Sequence, residues 1–146
     1  MATATKFGNW SLSVIPPGWE VVPEFGLRRA EKDAFPSNLV LTEEKMPDGM
    51  TLLSYVKNQV QIMERLLSQP TIVGPDRIPL PGAEGAQSLR VSYKSNEQRS
   101  VVQTQIYASA RDLVGIATFT TVEEEAGQVA ETFKAVGKAL RFTEGT

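Results

Sequence analysis

Between Thr51 and Ser68 the apolar residues Leu52, Val56, Val60, Met63 and Leu67 recur every three or four positions, and Leu53, Tyr55, Ile62 and Leu66 widen the stripe. That spacing predicts an amphipathic helix, opened by the Pro47-Asp48-Gly49 turn and closed by Gln69-Pro70. Elsewhere the period is two. Trp10, Leu12 and Val14 alternate with polar neighbours as far as Pro16-Pro17-Gly18, Trp19 to Arg29 reads as a strand with Pro23 at an edge or bulge, and Asn38 to Thr42 is a short strand. Further strands are predicted over 72–78, 87–94, 100–108 and 113–121. A second helix follows, with Thr121-Val122-Glu123-Glu124 spaced as a capping box and Val129, Phe133, Val136 and Leu140 as its stripe.

Runs of strands broken by two helices predict an α+β fold, a single domain over 1–146 in which the two main helices pack on one face of an antiparallel sheet. The segment 100–108 carries Val102, Thr104 and Ile106 on one side and Val101, Gln103, Gln105 and Tyr107 on the other. Neither side is a charged solvent face, and 113–121 repeats the pattern. One helix layer covers less apolar surface than this, which leads to the expectation of a symmetric homodimer.

Composition narrows the chemistry. The 146 residues include no His and no Cys, which removes the commonest general base, the main transition-metal ligands and all thiol chemistry. Lys and Arg total 15 against 17 Asp and Glu, scattered without a basic stripe, so nucleic acid is not an expected partner. The dense acids Glu43-Glu44 and Glu123-Glu124-Glu125 have structural explanations: strand neighbours point to opposite faces, and acids at a helix start answer the macrodipole. Gly74-Pro75 and Gly82-Ala83-Glu84-Gly85 are turn glycines that fit no phosphate-binding fingerprint. No catalytic residue, metal or cofactor is expected, and the chain does not read as an enzyme. From Met1 to Trp10 there is no apolar run of signal-peptide length, and no segment approaches a membrane span, so the chain reads as cytoplasmic.

Two glutamines stand out. Gln59 falls between Val56 and Met63 on the apolar helix stripe, where an amide needs partners, lies at an opening, or sits at the helix edge in water. Gln105 shares its strand face with Val101 and Tyr107, a mixed face suited to an apolar ligand that takes a few hydrogen bonds. Trp10 and Trp19 read as core residues.

Pro16-Pro17-Gly18-Trp19, Leu39-Val40-Leu41, Ser54-Tyr55-Val56-Lys57-Asn58-Gln59, and Gln105-Ile106-Tyr107 leading to Ala117-Thr118-Phe119-Thr120-Thr121 resemble the DcrB-related family across roughly residues 7–142. The resemblance implies a PsbP-like sandwich. Within that family the chain is most similar to the Eag chaperones of type VI secretion, cytoplasmic dimers that shield the hydrophobic N-terminal helices of toxin effectors until these are loaded on the secretion spike. It further implies that Gln59 and Gln105 bond the client helix, with Val40, Leu67, Val101, Phe25 and Leu27 as apolar contacts. The spike protein would then be met only through the effector. The alternative is an envelope-associated DcrB-like structural or binding domain with no transported client, for which a leader or a lipid-attachment Cys is the expected mark; an enzyme acting through carboxylates is the third reading.

Overall fold

The computed structural model describes residues 4–22, 26–30 and 35–143. In chain order the elements are β1 (Thr5–Phe7), β2 (Trp10–Leu12), β3 (Trp19–Val22), β4 (Gly26–Arg29), β5 (Asn38–Lys45), α1 (Leu52–Leu66), β6 (Ser68–Arg77), β7 (Gly85–Lys94), β8 (Ser100–Ala110), β9 (Leu113–Val122), α2 (Ala126–Ala139) and β10 (Leu140–Phe142), with a 3₁₀ turn over Glu123–Glu125. The α1 start is a capping box. Thr51 Oγ1 accepts from the Ser54 amide at 3.1 Å and Ser54 Oγ accepts from the Thr51 amide at 3.0 Å. The expected box at the second helix does not form, because Thr121 still belongs to β9 and is buried, its hydroxyl paired with that of Ser37 at 2.8 Å. The acids wind into the 3₁₀ turn, where the Glu125 carboxylate takes hydrogen bonds from Arg29 Nη1 and the Phe35 amide, both at 2.9 Å. The segment from Trp19 to Arg29 is an antiparallel pair, with Trp19 opposite Arg29 and Val22 opposite Gly26.

The main sheet has seven antiparallel strands in the order β3-β4-β5-β9-β8-β7-β6, and β1-β2-β10 form a three-stranded sheet. β8 lies between β9 and β7, and its alternation sorts the molecule into layers. Ile106 and Ala108 point to one face, here called the back, where they join Leu27, Leu39, Phe119, Val136 of α2, and Trp10, Leu12 and Phe142 of the small sheet. Tyr107 points to the front, where it joins Leu89, Val91, Val114 and the α1 residues Tyr55 and Val56. The two helices therefore pack on opposite faces. This corrects the one-face expectation, while the α+β class and the antiparallel pairing stand. The cause is physical: both faces of β8 and β9 are apolar, so each requires its own cover. Much of the surplus apolar surface that suggested a dimer is covered within the chain.

The small sheet docks on the back through one close approach. Phe142 is fully buried, its ring 4.8 Å from that of Trp10, and Trp10 Nε1 donates to the Thr42 carbonyl of β5 at 2.9 Å. Beneath the Phe142 ring lies Gly115 of β9, where an added Cβ would stand 2.5 Å from a ring carbon. Only a residue without a side chain admits the ring there. Replacing Gly115 with Ala should lower stability by about 1–3 kcal/mol through overpacking, against the gain of about 0.4–1 kcal/mol that a Gly to Ala change brings at compatible sites by restricting the unfolded chain. Urea unfolding measures the difference; an unchanged or raised midpoint would mean the ring does not need that space.

Candidate functional site: the open strip beside α1

On the front face α1 packs chiefly over β6, β7 and β8. Toward β9 and β5 its cover ends. Val40 lies opposite Thr118, Thr42 opposite Ile116 and Asn38 opposite Thr120, so these front-facing side chains make a continuous strip two strands wide. Val40, Thr118, Thr120 and Asn38 are half-buried and Thr42 is exposed. Beyond β5, Gly26 of β4 sits opposite Val40, and the Arg28–Glu20 ion pair closes the far border. A pair so exposed adds little stability.

The near wall is the flank of α1. Tyr55 is 3% exposed, stacks edge-on against Tyr107 with ring centroids 6.1 Å apart, and directs its hydroxyl to Glu44 of β5. That contact turns the Tyr55 side of the helix toward the strip. Gln59, Ile62 and Leu66 follow on the same flank at helical spacing. Gln59 and Ile62 are half-buried, while Leu66 is 77% exposed, an apolar side chain offered to whatever occupies the strip. The Gln59 side chain makes no hydrogen bond with any described residue.

Gln105 behaves differently. It is 7% exposed, accepts a hydrogen bond from the Tyr107 hydroxyl at 2.6 Å, and donates from Nε2 to Gln103 Oε1 at 2.9 Å and to the Met63 sulfur at 3.6 Å. Gln103 Nε2 in turn donates to Thr120 Oγ1 at 3.3 Å. A chain of polar contacts thus leads from the core under α1 to the strip, and Gln103, half-buried, is the amide at its open end.

The expected contact residues divide. Val40 is in the strip and Gln59 borders it; Gln105 lies beneath, its amide already engaged by Tyr107, Gln103 and Met63. Val101 is 7% exposed at the far end of β8. Leu67 packs into the core under α1, and Leu27, fully buried, lies on the back face, so these two do not join the strip. Phe25 lies outside the described residues. Gln103, Thr118, Ile62 and Leu66 were not singled out from the sequence. Gln103 lies two residues from Gln105, and Ile62 and Leu66 lie three and seven from Gln59, whereas Thr118 joins the strip only through strand pairing.

The buried phenols hold their protons. Burial, then the hydrogen bond and charge of Glu44, raise Tyr55 above its ordinary value, and burial pushes Tyr107 up to about 12. Among the described residues no cluster of His, Cys, Asp or Glu could hold a metal ion, and no helix is long and apolar enough to cross a membrane.

The DcrB family pattern matches residues 27–139. Among curated proteins none matches the chain. Solved structures are similar over nearly its whole length. LpqN of Mycobacterium tuberculosis, described as involved in cell envelope biogenesis, aligns with TM-score 0.69 at 16% identity over 97% of this chain and 90% of its own. PA94 of Pseudomonas aeruginosa, a protein of unknown function, gives 0.66 at 19% identity over 90% of each chain. A cyanobacterial PsbP from Synechocystis gives 0.59 at 14% over 96% of this chain and 90% of its own. These likenesses carry the fold, a PsbP-like one.

Replacing Gln105 with Ala leaves the Tyr107 hydroxyl without its partner, so stability should fall by about 1–3 kcal/mol, whereas Gln59→Ala should stay within about 0.5 kcal/mol. Chemical denaturation of the two variants separates them, and equal effects would sink the distinction. A second outcome concerns pH. Tyr107 titrates near 12 in the fold and about 10 in the unfolded chain, so its contribution is intact below pH about 10 and is lost as the pH rises toward 12. Tyr107→Phe should flatten the alkaline decline of stability; an identical decline would show that this phenol contributes nothing to it.

Proposed function

This chain belongs to the DcrB family, and we propose that it is a cytoplasmic chaperone of the Eag kind, which shields a hydrophobic N-terminal helix of a type VI secretion effector until the effector is loaded on the spike. The observation that carries this reading is the half-covered front face: a strip of Val40, Ile116 and threonines, walled by Gln59, Ile62 and the exposed Leu66. An apolar client helix satisfies its own backbone hydrogen bonds, so what it needs from a partner is removal of its side chains from water, about 25 cal/mol per Å² covered. Its polar side chains and end groups need a few hydrogen bonds as well. Gln59 supplies an uncommitted amide at the wall, and Gln103, already bonded to Gln105 and Thr120, keeps one further N–H on the floor. Gln105 and Tyr107 hold Gln103 in place from below. In this reading the protein binds and does not catalyse. A second copy placed beside the strip would complete the shield from the other side, which is why we propose a homodimer as the working form.

Sedimentation equilibrium at micromolar concentration should give a dimer; a clean monomer would remove the two-sided cradle. Capture of a synthetic apolar helix of about 20 residues, the length of a membrane span, should change less than about threefold when ionic strength rises from 0.1 to 0.5 M, since no charged stripe faces the client. Val40→Asp should abolish capture, and Gln59→Ala should weaken it about tenfold through the lost hydrogen bond, with thermal unfolding little changed for Gln59→Ala. Undiminished capture by both variants would overturn the site. Failure of the parent protein to retain any apolar helix would return it to the reading of an envelope-associated domain with no transported client.

A further inference from the structure

The back of the sheet holds a second opening, separated from the strip by the sheet itself. α2 leans toward β9 through Phe133 and Val136, with the Phe133 ring 4.9 Å from that of Phe119 and 5.9 Å from that of Trp19. Its other flank presents Ala126, Ala130 and Gly137, residues too small to fill the space over β8 and β7. What remains is a cleft of about 320 Å³, at the lower end of the usual range for small-molecule sites. Val102, Ile106, Phe119 and Phe133 give it an apolar lining, and no carboxylate lines it.

Its charges have one sign. Arg90 of β7 and Lys134 of α2 line the cleft, and neither makes an ion pair with any described residue. Arg90 sits directly opposite Thr104 of β8, whose hydroxyl has no hydrogen bond among the described residues, so a guanidinium and a hydroxyl adjoin on one floor. The adjoining groove toward the β8 start shares Arg90 and adds Lys94 and Glu123. An apolar floor beneath two unpaired cations is complementary to a short aliphatic chain that ends in a carboxylate, and a planar guanidinium matches a carboxylate in geometry as well as charge.

We propose that this cleft binds a medium-chain fatty acid, its carboxylate on Arg90, Thr104 and Lys134 and its tail between Phe133 and Ile106. The inference is independent of the client strip, which lies on the opposite face. The probe is octanoate, followed by calorimetry and by amide shifts of Val102, Thr104 and Ala130, with decanoate and octyl glucoside as comparisons. Octanoate should bind saturably, and decanoate more tightly by about three- to fourfold for each added methylene. Octyl glucoside should bind at least threefold more weakly. Ala130→Leu keeps a good helix former and fills the cleft, so it should abolish octanoate binding without altering capture of an apolar client helix. Arg90→Gln with Lys134→Gln should weaken octanoate about fivefold or more at low salt and leave octyl glucoside unchanged. Absence of saturable shifts at those residues, undiminished binding in Ala130→Leu, or equal affinity for octanoate and octyl glucoside would each overturn the assignment.

Discussion

A β-strand shows its side chains alternately to its two sides, and β8 must satisfy a different layer on each. Ile106 and Ala108 enter the back core, with α2 and the small sheet; Gln105 and Tyr107 enter the front core, under α1. Because β8 pairs over most of its length with β7 and β9, neither side can shift register without turning both sets of residues to the wrong layer. Every other placement follows from this one. α1 has its apolar stripe toward Leu89, Val91 and Tyr107, α2 has its stripe toward Phe119, and the small sheet reaches the back where Gly115 leaves room for Phe142.

The same constraint explains why the front is only half covered. Fifteen residues of α1 lie over one side of a seven-stranded sheet, and the Tyr55 contact with Glu44 is the helix's reach toward β5. A helix about 10 Å wide covers roughly two strands spaced 4.8 Å apart. The rest of that face is left with threonines, Val40 and Ile116, a composition that tolerates water and also accepts an apolar partner. The back is closed differently, by a helix and a small sheet side by side, and one opening left there is a cleft with cations along it.

The polar network on the front face reconciles buried amides with an apolar core. Tyr107, Gln105, Gln103 and Thr120 hand hydrogen bonds from one to the next, so each polar atom carried below α1 regains a partner. The arrangement fixes side chains on β8 and β9 at the edge of the strip. The Gln59 amide, uncommitted among the described residues, stands across from this ordered floor.

The sequence by itself determined what is local. The periods of 3.6 and 2 located α1, β5 and β7 to β9 within a few residues, Gln69-Pro70 marked the end of α1, and the absence of His and Cys set aside the chemistry that depends on them. β1 and β10 went unseen because strands of three residues carry almost no period, and Thr121 was misread as a cap because its true partner, Ser37, is remote in the chain. Tertiary structure alone decided which layer each face meets. Alternation states that Leu39 and Val40 point apart; it does not state that Leu39 meets α2 and the small sheet while Val40 remains in the open strip. Nor could it separate the two glutamines, since both lie among apolar neighbours, and only the position of α1 over β8 buries Gln105 and leaves Gln59 at the edge. Periodicity is a property of one element, whereas cover is set by where a second element, distant in sequence, comes to rest.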